Sequence, residues 1–451
     1  MLDRIVFNGL LGVILLAAIP YGSVEPWWKA VFQCLIFALA LLSVIERMRS
    51  ETGRQLTRPT RALFFPVFAL LVFGIIQGLA WYNSNLPGIG QVWKSISVDA
   101  SQTWLFVIHL TALTLLGWML LTHLRTERRL QRLVDVIIFI GVVSAMFGIW
   151  RQASQRETGF ILPYLRPAIG YAQFMNYNHF AFLMEMTLGL VLGIIVCRGV
   201  SGKRLVVYLV AALPMWAALI LSNSRGGIFS ILCQVIFLGL LLGVGREVRD
   251  SKPSENRLLR ASRMVAVRGV LLAALLAGAI ATVVFVGGDP LGGRLESVPL
   301  ELDQEVAQTM TLRQSIWRAT WVMVKDHPVA GVGFGGYAVA IPKYHDASGE
   351  VTPQEAHNDY LELLASGGLI GFAIGIWFVI SFLVAARAQM REASGSVYGR
   401  AARFGGLAGI LTVCIHSLVD FGLHIPVNAI VLSALLSIVL VNIQDAAKAE
   451  K

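Results

Sequence analysis

Apolar runs of about 16 to 25 residues recur from one end of this chain to the other, each long enough to cross a hydrocarbon layer ~30 Å thick. Twelve can be drawn, at 5–21, 27–45, 62–80, 104–123, 133–150, 180–197, 205–221, 228–242, 269–286, 361–385, 404–420 and 427–443. Backbone in lipid finds no water, so each run must satisfy its own hydrogen bonds as a helix. With 56% apolar residues, 14% charged and a mean hydropathy of +0.69, no soluble core could hide this much apolar surface. The expected fold is an all-α polytopic membrane protein with about twelve transmembrane helices. The run at 5–21 follows Asp3 and Arg4 with no A-x-A-like cleavage site before Trp27, so it reads as an uncleaved first span.

Charge orients these spans. The net charge is +10, and most of the 37 Lys and Arg fall on one side of the runs. They lie in ERMRSETGRQLTRPTR, RTERRLQR, CRGVSGKR, the stretch 243–268 and RAQMREASGSVYGRAAR. That is the bias of cytoplasmic loops, and it places both termini in the cytoplasm. The basic balance therefore points to the lipid bilayer as partner and not to nucleic acid. The four cysteines, Cys34, Cys197, Cys233 and Cys414, lie in or at the ends of apolar runs without a CxxC, which speaks against a disulfide framework or a zinc site.

Three regions follow: spans one to nine in 1–286, a loop domain at 287–360 on the outer side, and spans ten to twelve with the tail in 361–451. YNSNLPGIGQVWKSISVDASQT, between spans three and four, is a Gly/Pro/Ser-rich outer loop. Loop 287–360 is the longest polar excursion and is acidic overall. Its TMTLRQSIWRATWVMVKDH stretch predicts a helix with Arg313, Trp317 and Trp321 on one face and Leu312, Ile316, Ala319 and Met323 on another. In HPVAGVGFGGY, Pro328 ends that helix and the glycines permit tight turns. Arg313 and Arg318 stand out in so acidic a loop as placed for a purpose.

Few polar groups enter the spans: His109, His416 and Glu185. Most others gather at outer ends, as Asn176, Asn178 and His179, then Ser222 to Arg225, then His357 to Glu362, then Asp420. Intramembrane charge marks conduction paths, so its scarcity favours a site at the outer surface. Arg225, between SNS and two glycines, suits bidentate phosphate recognition, and equally suits snorkelling to lipid headgroups. His357 is the best acid–base candidate, because histidine ordinarily titrates at a pKa of ~6.5. It reads equally as a surface residue capping span ten with Asn358. Asn178, His179 and Asp420 are candidate site residues that could also be helix-end caps. The GGLIG at 367–371 lies inside a span and reads as close helix packing. No P-loop, HExxH, GxSxG or EF-hand pattern occurs, nor a DxD or other acidic cluster, so the expectation is neither metal nor cofactor.

These residues resemble the O-antigen ligase/polymerase family of membrane glycosyltransferases. Its signature H-[NSQ]-x9-G-x-x-[GTY] is met by His357, Asn358, nine residues, Gly368, Leu369, Ile370 and Gly371. GYAQFMNYNHFAFLMEM (170–186), SNSRGG (222–227) and RQSIWRATWVMVKDHPVAGVGFGGY (313–337) also look like the family, and HSLVDFGLHIP (416–426) does so more weakly. The resemblance implies a GT-C-like, inverting, metal-independent transferase in the bacterial inner membrane with its active site facing the periplasm. The donor would be a glycan on undecaprenyl diphosphate and the acceptor lipid A–core, as in O-antigen ligases. His357 would be the base, and Arg225 and Arg313 would hold the diphosphate. Asn178, His179, Arg318, Asn358 and Asp420 complete the expected substrate-binding set. Polymerases of O-antigen or exopolysaccharide share this layout, as do transferases with protein acceptors, although no appended segment here marks a protein acceptor. A transporter of lipid-linked glycans is the rival from another class, and it should bind at the membrane midplane on interrupted helices.

Overall fold

Short polar residues set where the helices start. The side chains of Asp99, Thr126, Asn176 and Ser396 each accept a hydrogen bond from a backbone N–H of the first turn, supplying a partner the helix itself cannot. The computed structural model describes residues 1–19, 21–49, 56–86, 90–124, 126–154, 170–247, 313–345, 353–391 and 396–443.

The first half runs α1 (Leu2–Ala17), α2 (Pro26–Arg49), α3 (Arg58–Ala62), α4 (Phe64–Gly78), β1 (Ala80–Leu86), β2 (Gly90–Ser95), α5 (Ala100–His123) and α6 (Glu127–Ala153). It continues with α7 (Tyr177–Val196), α8 (Gly202–Leu221) and α9 (Arg225–Glu247). After the undescribed stretch come α10 (313–326), the short α11 (Tyr337–Ala340), α12 (Asp359–Arg391), α13 (Val397–His416) and α14 (Pro426–Leu440). Seven of the described helical segments are long and apolar enough to cross a membrane: α2, the α3–α4 pair, α5, α6, α7, α8 and α12. Large apolar side chains such as Phe65, Phe68, Val207 and Phe229 stand exposed on the outside, as a lipid-facing surface requires. The chain is thus an all-α, multi-pass membrane protein. Every expected span overlaps one of these helices except 269–286, which lies outside the described residues, as do loop segments 287–312 and 346–352.

Two expectations are corrected. The Gly/Pro/Ser-rich stretch between α4 and α5 contains an antiparallel hairpin, β1–β2, in which Asn83 pairs with Trp93 and Asn85 with Gln91. The SNSRGG turn is also shorter than expected, because Arg225 already opens α9. Asn223 makes the reversal instead, with a φ of 59° that asparagine tolerates better than most residues.

Helix α7 runs through the middle of the bundle, and every residue from Asn178 to Val196 is buried. Its closest neighbour is α13, and glycines explain the approach. A Cβ on Gly193 would meet Gly405 Cα at 2.2 Å, and one on Gly189 would meet the Gly409 nitrogen at 2.6 Å. Two glycine pairs at four-residue spacing thus let the backbones touch, the small-residue packing that substitutes for hydrophobic force in lipid.

Helix α12 is broken within its third turn. Gly368 takes φ 60°, ψ −164°, a conformation essentially confined to glycine. The loop after α10 uses the break: Val332 N–H donates to Ala365 O (2.9 Å), Gly333 N–H to Ser366 O (3.0 Å), and Leu369 N–H to Pro328 O (2.8 Å). Gly367 and Gly371 leave room for the Phe334 ring, so GGLIG does pack closely, but against this loop. Gly368→Ala should destabilise the protein by roughly 2 kcal/mol or more, from backbone strain and a Cβ 2.3 Å from Val329 O. Thermal unfolding in detergent measures it.

Candidate functional site

The turn between α13 and α14 is where distant parts of the chain meet. Its Asp420 is fully buried, which is tolerable for a carboxylate only with close partners. It has them. Arg313 Nη2, from α10, donates to Oδ2 at 3.3 Å. His357 Nδ1 lies 3.5 Å from Oδ1, and His179 Nε2 lies 4.0 Å from the same oxygen. The Asn178 amide donates to Oδ2, and Asp420 Oδ1 accepts from the Phe421 N–H at 2.9 Å. Burial by itself would raise this carboxyl's pKa. The nearby His357, together with His179 and Arg313, outweighs it and holds the group well below the usual carboxylate range.

Local structure explains how each partner is presented. Asn178 and His179 lie in the first turn of α7, behind the Asn176 cap. Arg313 is the first described residue of α10, another face of which buries Ile316, Ala319 and Met323 as the periodicity predicts. Trp317 anchors that helix by donating to Ala356 O (2.9 Å), one residue before His357. His357 has a φ of 50°, in the left-handed region that non-glycine residues rarely enter. Asn358 caps α12, its Oδ1 accepting from the N–H groups of Tyr360 (3.1 Å) and Leu361 (3.0 Å). Asn358 therefore does cap the helix, while His357 turns toward Asp420.

Arg225 reaches this group through its neighbour. Ser224 Oγ donates to Asn178 Oδ1 at 2.7 Å, so the first residue of α9 sits beside the Asp420 cluster with its side chain exposed. The structure thus brings Asn178, His179, Arg313, His357 and Asp420 together and sets Arg225 at their margin. Arg318 is exposed on another face of α10, and no described contact joins it to Asp420.

Several residues of the site escaped the sequence reading. The Phe421 ring lies edge-on to His179 (4.7 Å between centroids), His357 (4.8 Å) and His424 (5.9 Å), walling one side of the histidines. His424 Nδ1 is 3.2 Å from Glu355, and its Nε2 is 3.4 Å from Glu362 and 3.7 Å from Asp359. Burial opposes charge on His424, but Glu362 and Glu355 hold its imidazole well above the ordinary histidine pKa. An acidic cluster does exist, contrary to the sequence expectation. Glu355, Glu362 and His424 are the group among the described residues whose ligand atoms, within 4.8 Å of one another, could hold a cation. As it stands, the imidazole balances the carboxylates as an ion pair. Glu355-x3-Asp359-x2-Glu362 at helical spacing was the available signal.

Apart from Arg313 of α10, these groups occupy helix ends: the starts of α7, α9 and α12 and the turn after α13. A separate polar cluster, Asp3, Ser43, His123 and Arg129, ties together the start of α1, the ends of α2 and α5 and the start of α6. The candidate site is therefore a cluster of charge at one end of a multi-pass helical bundle.

A family model described as O-antigen ligase matches residues 209–376, a stretch that contains Arg225, Arg313, His357 and Gly368. No curated protein matches the chain. Over that stretch the chain is similar to the O-antigen ligase superfamily.

Proposed function

We propose that the chain is an O-antigen ligase-type glycosyltransferase, moving a glycan from undecaprenyl diphosphate to a hydroxyl of lipid A–core at the periplasmic face of the inner membrane. The observation that carries the reading is Asp420, one buried carboxylate shared by a histidine and an arginine from distant segments. Asp420 orients His357 and fixes its charge partner, and His357 takes the proton from the acceptor hydroxyl. The acceptor oxygen then forms its bond to the anomeric carbon as the bond to the diphosphate breaks on the opposite face, inverting the centre. The leaving diphosphate keeps the electron pair, and its charge is met by Arg225 and Arg313. The first-turn N–H groups of α9, beside Arg225, add to the positive field. No step requires a metal or cofactor. Asn178 and His179 join the cluster through their contacts with Asp420. Asn358 sets the start of α12, and Arg318 is left as a surface contact for the glycan.

Two outcomes test this. Arg225→Lys should lower transfer roughly 10- to 100-fold, the loss of one charge-assisted hydrogen bond of about 1.5–3 kcal/mol, because an ammonium cannot reproduce the planar fork. Unchanged turnover would return Arg225 to snorkelling. Supplying one lipid-linked donor to the purified protein with lipid A–core, a second donor molecule or a peptide should load lipid A–core. Extension of the second donor instead would assign polymerase activity within the same superfamily.

A further inference from the structure

Below the Asp420 cluster lies a buried ion pair that the proposed reaction does not use. His416 Nδ1 is 2.7 Å from Glu185 Oε1, and both residues are sealed from solvent, at 1% and 0% exposed. The Phe182 ring stacks on the imidazole, with centroids 4.1 Å apart and planes 12° apart. Ionisable groups this deep in a membrane bundle are costly, and apolar side chains of similar volume are often no less stable in such places. Stability alone does not account for the pair.

Its position does. The two glycines after Arg225 rest directly on it. A Cβ on Gly226 would meet His416 Nε2 at 2.5 Å, and a Cβ on Gly227 would meet Ala181 at 2.8 Å and Glu185 Oε1 at 3.1 Å. Gln234, farther along α9, donates to Glu185 O and Ala408 O, both at 3.1 Å, tying α9 to α7 and α13. The His416 carbonyl accepts the N–H groups of Val419 (2.9 Å) and Asp420 (3.1 Å), so the turn bearing Asp420 starts from this residue. One pair thus touches or launches all three elements that present Asn178, Arg225 and Asp420.

We propose that Glu185 and His416 are positioning residues: a register lock that sets the height and rotation of the Arg225 turn relative to the Asp420–His357 group, and so tunes capture of the donor's diphosphate. The inference rests on Arg225 being a diphosphate ligand. An apolar pair would fill the volume but leave α9 free to slide or rotate against α7 and α13. The hydrogen bond fixes one register, a use for which buried polar pairs are well suited.

The test compares purified Glu185→Leu/His416→Leu, Glu185→Gln and Gly226→Ala in detergent, measuring unfolding temperature and the KM and kcat for the lipid-linked donor. The double leucine variant should unfold at or above the wild-type temperature while its donor KM rises roughly 10- to 100-fold, the scale of an ångström-sized misplacement. Its kcat at saturating donor should change far less. Glu185→Gln, which keeps an oxygen facing the imidazole, should recover most of the affinity. Gly226→Ala, which lifts α9 off an intact pair, should raise donor KM in the same way and decides the matter if the double variant fails to fold. A donor KM within twofold of wild type in the folded double variant, or in Gly226→Ala, overturns the lock. Arg225→Lys in the same assay separates the two claims. If it is impaired while these variants are not, only the lock falls. If it too is unchanged, the diphosphate reading falls with it.

Discussion

His357→Ala should lower glycan transfer by about 10²–10⁴-fold, the usual cost of losing a general base, while leaving the bundle folded. The imidazole is 30% exposed and lies at the edge of the cluster, so its removal opens no cavity in the core. Asp420 would keep Arg313 and Asn178. Alanine is disfavoured at a φ of 50°, which adds local strain unrelated to chemistry. His357→Asn is the cleaner variant, since asparagine enters the left-handed region readily and cannot act as a base near neutrality. Both variants should lose transfer, and the asparagine form should keep the wild-type unfolding temperature. Wild-type transfer in either would remove His357 from the mechanism.

Asp420→Ala should be as damaging to transfer and far more damaging to the fold. It removes the one carboxylate that Arg313, His357, His179 and Asn178 share. Breaking a buried pair by deleting one partner costs about 3–5 kcal/mol, and the low end applies here because Arg313 and His357 retain contact with water. Asp420→Asn keeps the shape and loses the charge. It should fold better than the alanine form yet still lose transfer, because His357 and Arg313 are no longer held. The sign of the pH dependence follows from the depressed carboxyl. A group whose folded pKa lies below its unfolded value of ~3.9 stabilises the fold above that value, and the contribution fades only as pH drops through the lower, folded one. The gap in unfolding temperature between wild type and Asp420→Asn should therefore be constant from about pH 5 to 8 and should close only in strong acid. Equal unfolding temperatures and equal transfer would mean that Asp420 organises nothing.

Much of this was legible in the residues because lipid imposes a simple rule. A run with no water to bond must be helical, so hydropathy located the described spans, with errors only at their ends. Arg225 was one such error: SNSRGG reads as a turn, but the two glycines serve a close approach to His416 and Glu185, so the helix starts earlier. The hairpin at 80–95 was hidden because its strands carry asparagine, glycine and serine, the usual loop residues, between exposed aromatics. The pairing of α7 with α13 through Gly189, Gly193, Gly405 and Gly409 is a contact between segments about 200 residues apart, and no local pattern announces its partner. The candidate site follows the same division. Arg313 could be selected as a rare base in an acidic loop, and His357 and Asp420 as polar groups at span ends. Their convergence on one carboxylate could not be seen. HSLVDFGLHIP, the faintest of the family-like stretches, supplies Asp420, Phe421 and His424, around which the other residues gather. Arg318 was singled out by the rarity of charge in an acidic loop, and it is exposed with no described contact to Asp420.

If these charges assemble a transferase and not a carrier, the purified protein in detergent, given lipid-linked donor and lipid A–core with no membrane to transport across, should release undecaprenyl diphosphate. Release should keep step with glycan appearing on the acceptor, and both should be lost in His357→Asn. Donor that binds but is never cleaved under these conditions, in wild type and variant alike, would contradict the transferase reading.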